Sequence, residues 1–430
     1  MVEAFIGVDV GTGSARAGVV DAQGRLLASA RMPIAIWHEP GGIAEHSSRD
    51  IWRATCAAVR EAVRLAGLAI EAYRGMGFDA TCSLVVLDPQ ANPLPVGLSG
   101  DPARDVIVWM DHRAGGEADF INRDGHDVLR YVGGTISPEM QIPKLLWLSR
   151  NMPDTYRRAG HFMDLTDFLS WSATGSLSRS GCTVTCKWTY LAHERRWAGD
   201  FFDRVGLASL SAGDFAAIGA TVVAPGTALA KGLSSAAAEA MGLPMGLPVG
   251  AGLIDAHAGA IGTMGAALAG KAADPRRRLA LILGTSSCCM AVSDQPRFID
   301  GVWGPYFSAL TPDQWLTEAG QSAFGAAIDH VMRLHPAFAG LVKETGETAF
   351  ERMERDILSA AGSLSRAVTL AERLHILPDF LGNRSPLADP NSRGVLLGVD
   401  LGDDYASLLA FYVATLNGLA QGLAQIVRAL

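Results

Sequence analysis

Residues 5–31, FIGVDVGTGSARAGVVDAQGRLLASAR, contain three β-strand patterns separated by two turns. Phe5–Val10 is apolar enough for a buried strand, Ala15–Val20 returns beside it, and Leu26–Arg31 is the third strand. The glycine-containing tetrapeptides GTGS and DAQG join the three strands as tight hairpins. The stretch therefore predicts a three-stranded antiparallel unit at the start of the chain.

A helix and a fourth strand follow this unit. Ser48 suits the N-cap position. Beyond it, apolar side chains recur at helical spacing at Ile51, Trp52, Thr55, Ala58, Val59, Ala62 and Val63. The segment 75–80 (GMGFDA) is a strand that ends in polar residues. The order of elements is therefore βββαβ.

The same order recurs in the second half of the chain. Leu279–Leu283 predicts a strand, Cys288–Val292 returns across a Gly-Thr-Ser turn, and Trp315–Glu318 predicts a third strand. A helix predicted over Tyr405–Leu430 takes the place of the first helix. The chain ends where the next strand should follow, so we expect the second repeat to be incomplete.

This repetition predicts an α/β fold of two related domains. Turn signals around Pro244 and Pro248 precede an apolar strand near Leu253, which places the expected boundary there. We assign residues 1–252 to the N-terminal domain and 253–430 to the C-terminal domain. The intervening segment 101–241 is rich in Trp, His and Arg and is interpreted as insertions that build a substrate site.

Composition narrows the functional classes. Apolar residues make up 49% of the 430 residues, so the chain can bury a large core and is not disordered. A net charge of −8 disfavours general nucleic-acid binding, which requires a basic surface. The N-terminal segment has no basic signal-peptide region, and the six cysteines lack disulfide-framework spacing. We interpret the cysteines as reduced packing residues of a cytoplasmic protein.

One segment, Ala406–Val427, has no charged residue and is long enough to cross a membrane. It contains Ser, Thr, Asn and Gln residues and lacks flanking aromatic and basic belts, so a buried interdomain helix is the favoured interpretation. Gly418 and Gly422 are spaced for close packing against another element. No membrane association is therefore expected.

Two glycine-rich hairpins are candidates for phosphate binding. Asp9 ends a strand and precedes Gly11, Thr12 and Gly13, whose backbone N–H groups can surround phosphate oxygens. An Asp at a strand end can also hold Mg²⁺. Neither a P-loop nor a Rossmann spacing is present here, and a simple tight hairpin is the alternative. The counterpart Gly284, Thr285 and Ser286 favours a nucleotide held by two hairpins.

Asp255 is the candidate general base. An apolar strand delivers its carboxylate, and small residues follow it. A carboxylate there can accept the proton of an attacking hydroxyl during phosphoryl transfer. The alternative is that Asp255 only caps the helix that begins at Ala256; both roles are compatible.

Further polar clusters sit at the ends of apolar runs and offer the groups that bind sugar hydroxyls beside an aromatic wall. The candidates drawn from them are Asp79, Ser83, Trp109, Asp111, Lys187 and Glu318. Taken singly, each cluster could also be a surface loop or a structural hydrogen-bonding group.

These motifs resemble the FGGY carbohydrate kinases of the actin/hexokinase-like ATPase fold, whose domains are ribonuclease H-like. The segments that carry the resemblance are 77–88 (GFDATCSLVVLD), 109–114 (WMDHRA), 186–190 (CKWTY), 253–259 (LIDAHAG), 302–307 (VWGPYF) and 382–389 (GNRSPLAD). They are most similar to the branch of the family that phosphorylates D-ribulose, and the resemblance covers essentially the whole chain.

The resemblance implies ATP-dependent, Mg²⁺-assisted phosphorylation of the terminal hydroxyl of a ketopentose. It makes Asp255 the general base and a magnesium ligand, and Asp9 a second metal ligand. It assigns phosphate binding to Gly11, Thr12, Gly13, Gly284, Thr285, Ser286 and Gly320. It assigns sugar binding to Asp79, Ser83, Trp109, Asp111, Lys187 and Glu318.

One departure from the family pattern concerns the C-terminal part. The family continues beyond Leu430 with a strand, an adenosine-binding Gly-Gly turn and the family-naming signature, and we expect this part to be absent. An inactive sugar-binding remnant without a complete ATP site is therefore an alternative function.

Other functions remain open on the sequence alone. The substrate could be another pentulose or polyol, such as xylulose or ribitol. An actin-like or chaperone-like ATPase would need no sugar pocket, and a nicotinamide-dependent dehydrogenase would need a Rossmann glycine pattern. A homodimer is expected on frequency alone.

Overall fold

A computed structural model describes residues 2–267, 274–341, 348–389 and 391–430. The chain forms two compact units. The first comprises Met1–Thr263, Val292–Arg297 and Gly304–Leu316, and the second comprises Met264–Ala291, Phe298–Trp303 and Thr317–Leu430. The predicted domain boundary between residues 252 and 253 stays a prediction.

The first 265 residues form alternating groups of strands and helices. The strands are β1 (Ala4–Gly11), β2 (Ser14–Asp21), β3 (Leu26–Pro33), β4 (Trp37–Glu39), β5 (Ile43–His46), β6 (Tyr73–Ala80), β7 (Leu84–Leu87), β8 (Val106–Ile107), β9 (His161–Asp164), β10 (Arg179–Ser180), β11 (Val222–Val223) and β12 (Leu253–Ile254). The helices are α1 (Ser48–Ala66), α2 (Gly115–Asp124), α3 (Gln141–Asn151), α4 (Pro153–Arg158), α5 (Leu165–Thr174), α6 (Gly181–Lys187), α7 (Gly199–Arg204), α8 (Ala208–Ala212), α9 (Ser235–Met241) and α10 (Asp255–Gly265), with 3₁₀ turns at Ile70–Ala72 and Asp127–Val132.

The central sheet of the first unit has the strand order β12–β6–β1–β2–β3. β1, β2 and β3 pair antiparallel, whereas β6 runs parallel to β1, and β12 runs parallel to β6. The three-stranded N-terminal unit and the strand over 75–80 are thus confirmed. Side chains of β1 alternate between buried and more exposed positions, and Ile6 and Val8 contribute to the core beneath the sheet.

Helix α1 covers this sheet with one apolar face, on which Ile51, Val59 and Ala62 are buried. Its N-cap is Ser47, whose side chain accepts a hydrogen bond from the Asp50 N–H, and not the expected Ser48. The hydroxyl of Ser48 instead donates to the buried carboxylate of Asp105. The helix begins one residue earlier than predicted because a buried acceptor uses the second serine.

The remaining strands are β13 (Ala280–Leu283), β14 (Ser287–Ser293), β15 (Trp303–Phe307), β16 (Trp315–Gln321), β17 (His375–Leu377) and β18 (Val395–Leu397). The helices are α11 (Gly325–Leu334), α12 (Pro336–Leu341), α13 (Ala349–Ala361), α14 (Leu364–Ala367) and α15 (Tyr405–Ala429), with 3₁₀ turns at Pro275–Arg277 and Val368–Ala371. A four-stranded sheet has the order β13–β14–β16–β15. β13 pairs antiparallel with β14, so the predicted second hairpin is confirmed.

Helix α15 is the apolar segment noted in the sequence, and by length and composition it could cross a membrane. Its N-terminal half lies in the core of the second unit, where Leu408, Phe411 and Tyr412 are buried. The helix approaches β17 closely: a Cβ placed on Gly418 would lie 2.1 Å from the backbone oxygen of Ile376. The predicted close packing at this glycine is confirmed.

Alanine substitutions at Gly418 and Gly422, both in α15, are expected to differ in their effect on stability. In Gly418→Ala the new methyl group meets rigid backbone, so we expect unfolding free energy to fall by about 1–3 kcal/mol. In Gly422→Ala the new Cβ would lie 2.3 Å from Nε2 of Gln321, a side-chain amide that can move aside at the expense of its 3.2 Å hydrogen bond to the Leu419 carbonyl. The gain in helix propensity then offsets the contact, and stability should stay within about 1 kcal/mol of the wild type. Chemical denaturation of both variants measures the difference, and equal losses would contradict this packing.

Candidate active site

Three carboxylates meet at one edge of the central sheet. Asp9 lies opposite Asp79 in the parallel register of β1 and β6, and Leu253 of β12 lies opposite Asp79 on the other side. Asp255 follows β12 directly. Because parallel strands end at the same edge of a sheet, the fold brings Asp9, Asp79 and Asp255 together, which is the edge where ligands bind in open α/β sheets.

The electrostatics of this cluster follow from burial and like charge. Burial, with the charges of Asp9 and Asp255 added to it, raises the pKa of Asp79 to about 8. Burial also raises the pKa of Asp255, and the charge of Asp9 acts in the same direction. The N–H of Ala256 and the ammonium of Lys187 oppose this shift but do not cancel it. A divalent cation fits this donor set because its charge would relieve the mutual repulsion.

Asp255 begins helix α10 and is held there by its neighbours. Its Oδ1 accepts a hydrogen bond of 2.7 Å from the Ala256 N–H. The Thr166 hydroxyl donates to the carbonyl of Leu253, and the Ser180 hydroxyl donates to that of Gly252. The expected contact of the Asp255 carboxylate with the helix terminus is therefore present, and its role as general base stays a prediction.

The first glycine hairpin lies beside the cluster. Gly11 and Thr12 are partly exposed and Gly13 is exposed, so the turn is accessible. Arg16 returns on β2 and its Nη1 donates to the carboxylate of Asp9 at 2.7 Å. The sequence reasoning missed Arg16, although hairpin register places it directly opposite Asp9.

Trp109 is hydrogen-bonded to Thr12, which was expected to bind phosphate, and to Ser83, which was expected to bind the sugar. Its indole Nε1 donates to the Thr12 hydroxyl at 3.0 Å, and its backbone N–H donates to the Ser83 hydroxyl at 3.1 Å. The structure therefore brings Thr12, Ser83 and Trp109 together. Ser83 itself is fully buried.

Asp111 lies inside the protein. Its Oδ1 accepts from the Arg113 backbone and guanidinium, and its Oδ2 accepts from the Ala44 N–H and from Arg113. Arg113 also pairs with Glu45 at 2.8 Å, and all three side chains are at most 2% exposed. The carboxylate predicted to bind sugar is thus engaged in a buried ion cluster beneath the Trp109 turn.

Lys144 is a further supporting residue that the sequence reasoning missed. It is fully buried, and its ammonium donates to the carbonyls of Val108, Trp109 and Glu139 at 3.1–3.3 Å. Burial lowers the pKa of Lys144 to about 8. The sequence signal for such a role was a single lysine among the apolar residues of helix α3.

Lys187 is the last residue of α6 and is 6% exposed. The N-cap of α6 is Ser180, the same residue whose hydroxyl binds the Gly252 carbonyl before Asp255. Ser180 therefore links the start of α6 to the segment that precedes α10. The ammonium of Lys187, at the other end of α6, is close enough to lower the pKa of Asp255.

The second unit contains the remaining predicted residues. Gly284 and Thr285 are exposed in the turn between β13 and β14, and Ser286 is partly exposed. Glu318 is buried in β16. A Cβ on Gly320 would lie 2.0 Å from the Ser287 carbonyl oxygen, so this glycine permits close packing of β16 against β14.

Family models match most of the chain. The model "FGGY family of carbohydrate kinases, N-terminal domain" matches residues 4–262, and the corresponding C-terminal domain matches residues 279–430. The expectation that the C-terminal part is absent is corrected by the match to the C-terminal domain over residues 279–430.

Curated relatives agree with this match. The human FGGY carbohydrate kinase domain-containing protein is 46% identical over 99% of this chain and 78% of its own length. A Danio rerio protein of the same name is 47% identical, over 99% of this chain and 79% of its own. A D-ribulokinase of Saccharomyces cerevisiae is 36% identical, over 98% of this chain and 63% of its own.

Solved structures agree on the fold. A xylulose kinase from Rhodospirillum rubrum superposes with a TM-score of 0.77 at 22% identity, over 99% of this chain and 78% of that one. A gluconate kinase from Lactobacillus acidophilus gives 0.77 at 17% identity, over 100% and 78%. The predicted two-domain α/β kinase fold is confirmed.

The raised pKa of Asp79 gives a pH test. The folded protein retains a proton that the unfolded chain releases near pH 4, so the stability linked to that proton is lost as pH rises toward about 8. Asp79→Asn cannot titrate. Between about pH 5 and 9 the variant should lose less stability than the wild type, by at least about 1.4 kcal/mol, the equivalent of one pKa unit.

Urea denaturation at several pH values measures this difference. Asp88→Asn is the matched control, because hydrogen bonds from Asn92 lower the pKa of Asp88. That carboxylate stays ionised throughout this range, so its removal should shift stability by a constant amount. Parallel curves for the wild type and Asp79→Asn would contradict the assignment.

Proposed function

Because the chain belongs to the FGGY family of carbohydrate kinases, we propose that it transfers the γ-phosphate of ATP to the terminal hydroxyl of a ketopentose, D-ribulose. The observation that carries this proposal is the convergence of Asp9, Asp79 and Asp255 at one sheet edge. The name D-ribulokinase of the yeast relative supports the choice of sugar.

Asp255 is the proposed general base. Its pKa lies above the ordinary carboxylate value, which improves its ability to take a hydroxyl proton near neutral pH. The Ala256 N–H binds Oδ1, which leaves Oδ2 for the substrate hydroxyl. As Asp255 takes the proton, the hydroxyl oxygen would attack the γ-phosphorus in line, the bond from that phosphorus to the bridging oxygen would break, and ADP would leave.

Asp9 and Asp255 are the proposed Mg²⁺ ligands, with Asp79 beside them. Their carboxylate oxygens are the hard donors that Mg²⁺ prefers. Bound Mg²⁺ would neutralise charge on the transferring phosphate. Arg16 holds the Asp9 carboxylate in place at 2.7 Å.

Phosphate and sugar contacts complete the proposal. The turn residues Gly11, Thr12, Gly13, Gly284, Thr285 and Ser286 are proposed to bind ATP phosphates, with Gly320 packing beside the second turn. Trp109 would cover the apolar face of the sugar, while Asp79, Lys187 and Glu318 would bind its hydroxyls. Ser83 and Asp111 are proposed to act indirectly, because both are buried and bonded to the Trp109 segment.

Buried polar atoms near the end of α6 strengthen the sugar assignment. Within the described part of the chain, Thr185 Oγ1, Trp188 Nε1 and Thr189 Oγ1 have no hydrogen-bond partner. Such buried atoms require an explanation, and the hydroxyls of a polyol are suitable partners. They lie next to Lys187 in sequence, which links them to the proposed sugar contacts.

The cellular context is also a proposal. We propose a cytoplasmic enzyme that acts on a small molecule, and the free state of all six cysteines supports this compartment. The expectation of no nucleic-acid or membrane partner stays a prediction. A homodimer remains our expectation on frequency.

A substrate panel tests the choice of sugar. D-Ribulose, D-xylulose and ribitol are compared in a coupled assay with ATP and Mg²⁺, and we expect the highest kcat/KM with D-ribulose. A preference of tenfold or more for xylulose or ribitol would replace the proposed substrate, since unpaired hydroxyls cost a few kcal/mol. Calorimetric binding of D-ribulose without any turnover in the presence of ATP and Mg²⁺ would contradict the choice of D-ribulose as substrate.

Removal of the base tests the mechanism. Asp255→Asn should lower kcat by about 10²–10⁴-fold, because the hydroxyl proton loses its acceptor. The exposed Asp101→Asn is the matched control and should retain wild-type turnover. Near-normal kcat in Asp255→Asn, with unchanged circular dichroism, would exclude Asp255 as the base.

A further inference from the structure

Two cysteines and a histidine form a buried cluster behind the proposed base. Cys182 and Cys186 lie one turn apart on α6, and His257 lies in the first turn of α10. All three side chains are 0% exposed. Sequence reasoning treated these thiols as packing residues and found no second pair at zinc spacing, because His257 is distant in sequence and joins them only through the fold.

The distances suit coordination of one ion. Nδ1 of His257 is 3.0 Å from Sγ of Cys182 and 4.0 Å from Sγ of Cys186. The three donor atoms all lie within 4.8 Å of one another. Zinc bonds of about 2.3 Å to sulfur and 2.0 Å to nitrogen place tetrahedral ligands roughly 3.5–3.8 Å apart, so small side-chain adjustments are sufficient.

The donor chemistry selects a soft cation. Two sulfurs and one imidazole nitrogen prefer Zn²⁺ or Cu(I) to Mg²⁺, which the carboxylate cluster prefers. The Ile254 N–H is directed at Sγ of Cys182 at 3.5 Å, the kind of outer contact that stabilises a thiolate ligand. The carboxylate cluster would thus select Mg²⁺, and the cluster of two cysteines and a histidine would select a soft cation.

We propose that Cys182, Cys186 and His257 bind a thiophilic d¹⁰ cation, represented by Zn²⁺. Binding replaces the thiol protons, which leave to the solvent buffer. The ion would crosslink α6 to α10. Cys186 precedes Lys187 directly, and His257 follows Asp255 by two residues, so the crosslink would fix the separation of these two groups.

Metal titration tests this site without any kinase assay. The reduced, chelator-treated chain is titrated with Zn²⁺ against a chromophoric chelator, in excess Mg²⁺ to occupy the carboxylate cluster. We expect one tight zinc per chain and an increase in Tm on binding. Co²⁺ should give the charge-transfer absorption of cobalt–thiolate bonds.

Variants locate the bound ion. Cys182→Ser and His257→Gln should each weaken zinc binding by at least about 100-fold. Cys289→Ser, which removes a buried thiol from the second unit, is the matched control and should bind as the wild type. Circular dichroism identifies any variant that does not fold, and the cobalt–thiolate absorption of the wild type, compared with that of Cys289→Ser, then provides the measurement.

Two results would overturn the proposal. One is a wild-type chain that binds no stoichiometric Zn²⁺ in excess Mg²⁺. The other is equal zinc affinity in Cys182→Ser and Cys289→Ser. In either case the cluster would be a hydrogen-bonded set of thiols and imidazole. Neither result bears on sugar phosphorylation, because the titration needs neither ATP nor sugar.

Discussion

The parallel pairing of β12, β6 and β1 is the constraint on which the rest of the site depends. It fixes Asp9 opposite Asp79 and brings Asp255 to the same edge, despite the repulsion that three carboxylates generate. The backbone ladder and the core beneath it stabilise an arrangement that the side chains alone would oppose. Perturbed pKa values are common at functional sites, and this repulsion is therefore in line with the proposed active site.

A second layer of buried charge supports the aromatic part of the site. Asp111, Arg113 and Glu45 compensate one another, and Lys144 binds the carbonyls of the same turn. Buried charged groups lower the stability of a protein unless they are hydrogen-bonded, and most of the polar atoms in this cluster have hydrogen-bond partners. The Trp109 segment is therefore held by polar contacts in addition to apolar packing.

Local patterns predicted the fold well. The strands around Asp9 and the repeat at β13 and β14 follow from hydrophobic alternation and turn residues, which are short-range properties. The role of Asp111 could not be predicted in this way, because its partners Ala44 and Arg113 are brought to it by the tertiary fold. The contact between Cys182 and His257 is equally non-local, so sequence spacing did not predict it. The roles expected of the other site residues came from the family resemblance, because spacing alone left those roles open.

The strand that delivers the proposed base is very short. β12 contributes only Leu253 and Ile254 to the ladder with β6, although the two strands are far apart in the chain. Contacts between segments so far apart in sequence form slowly, because loop closure must precede them. During synthesis the strands with Asp9 and Asp79 leave the ribosome long before Asp255, so the proposed base is the last of the three carboxylates to reach the sheet edge.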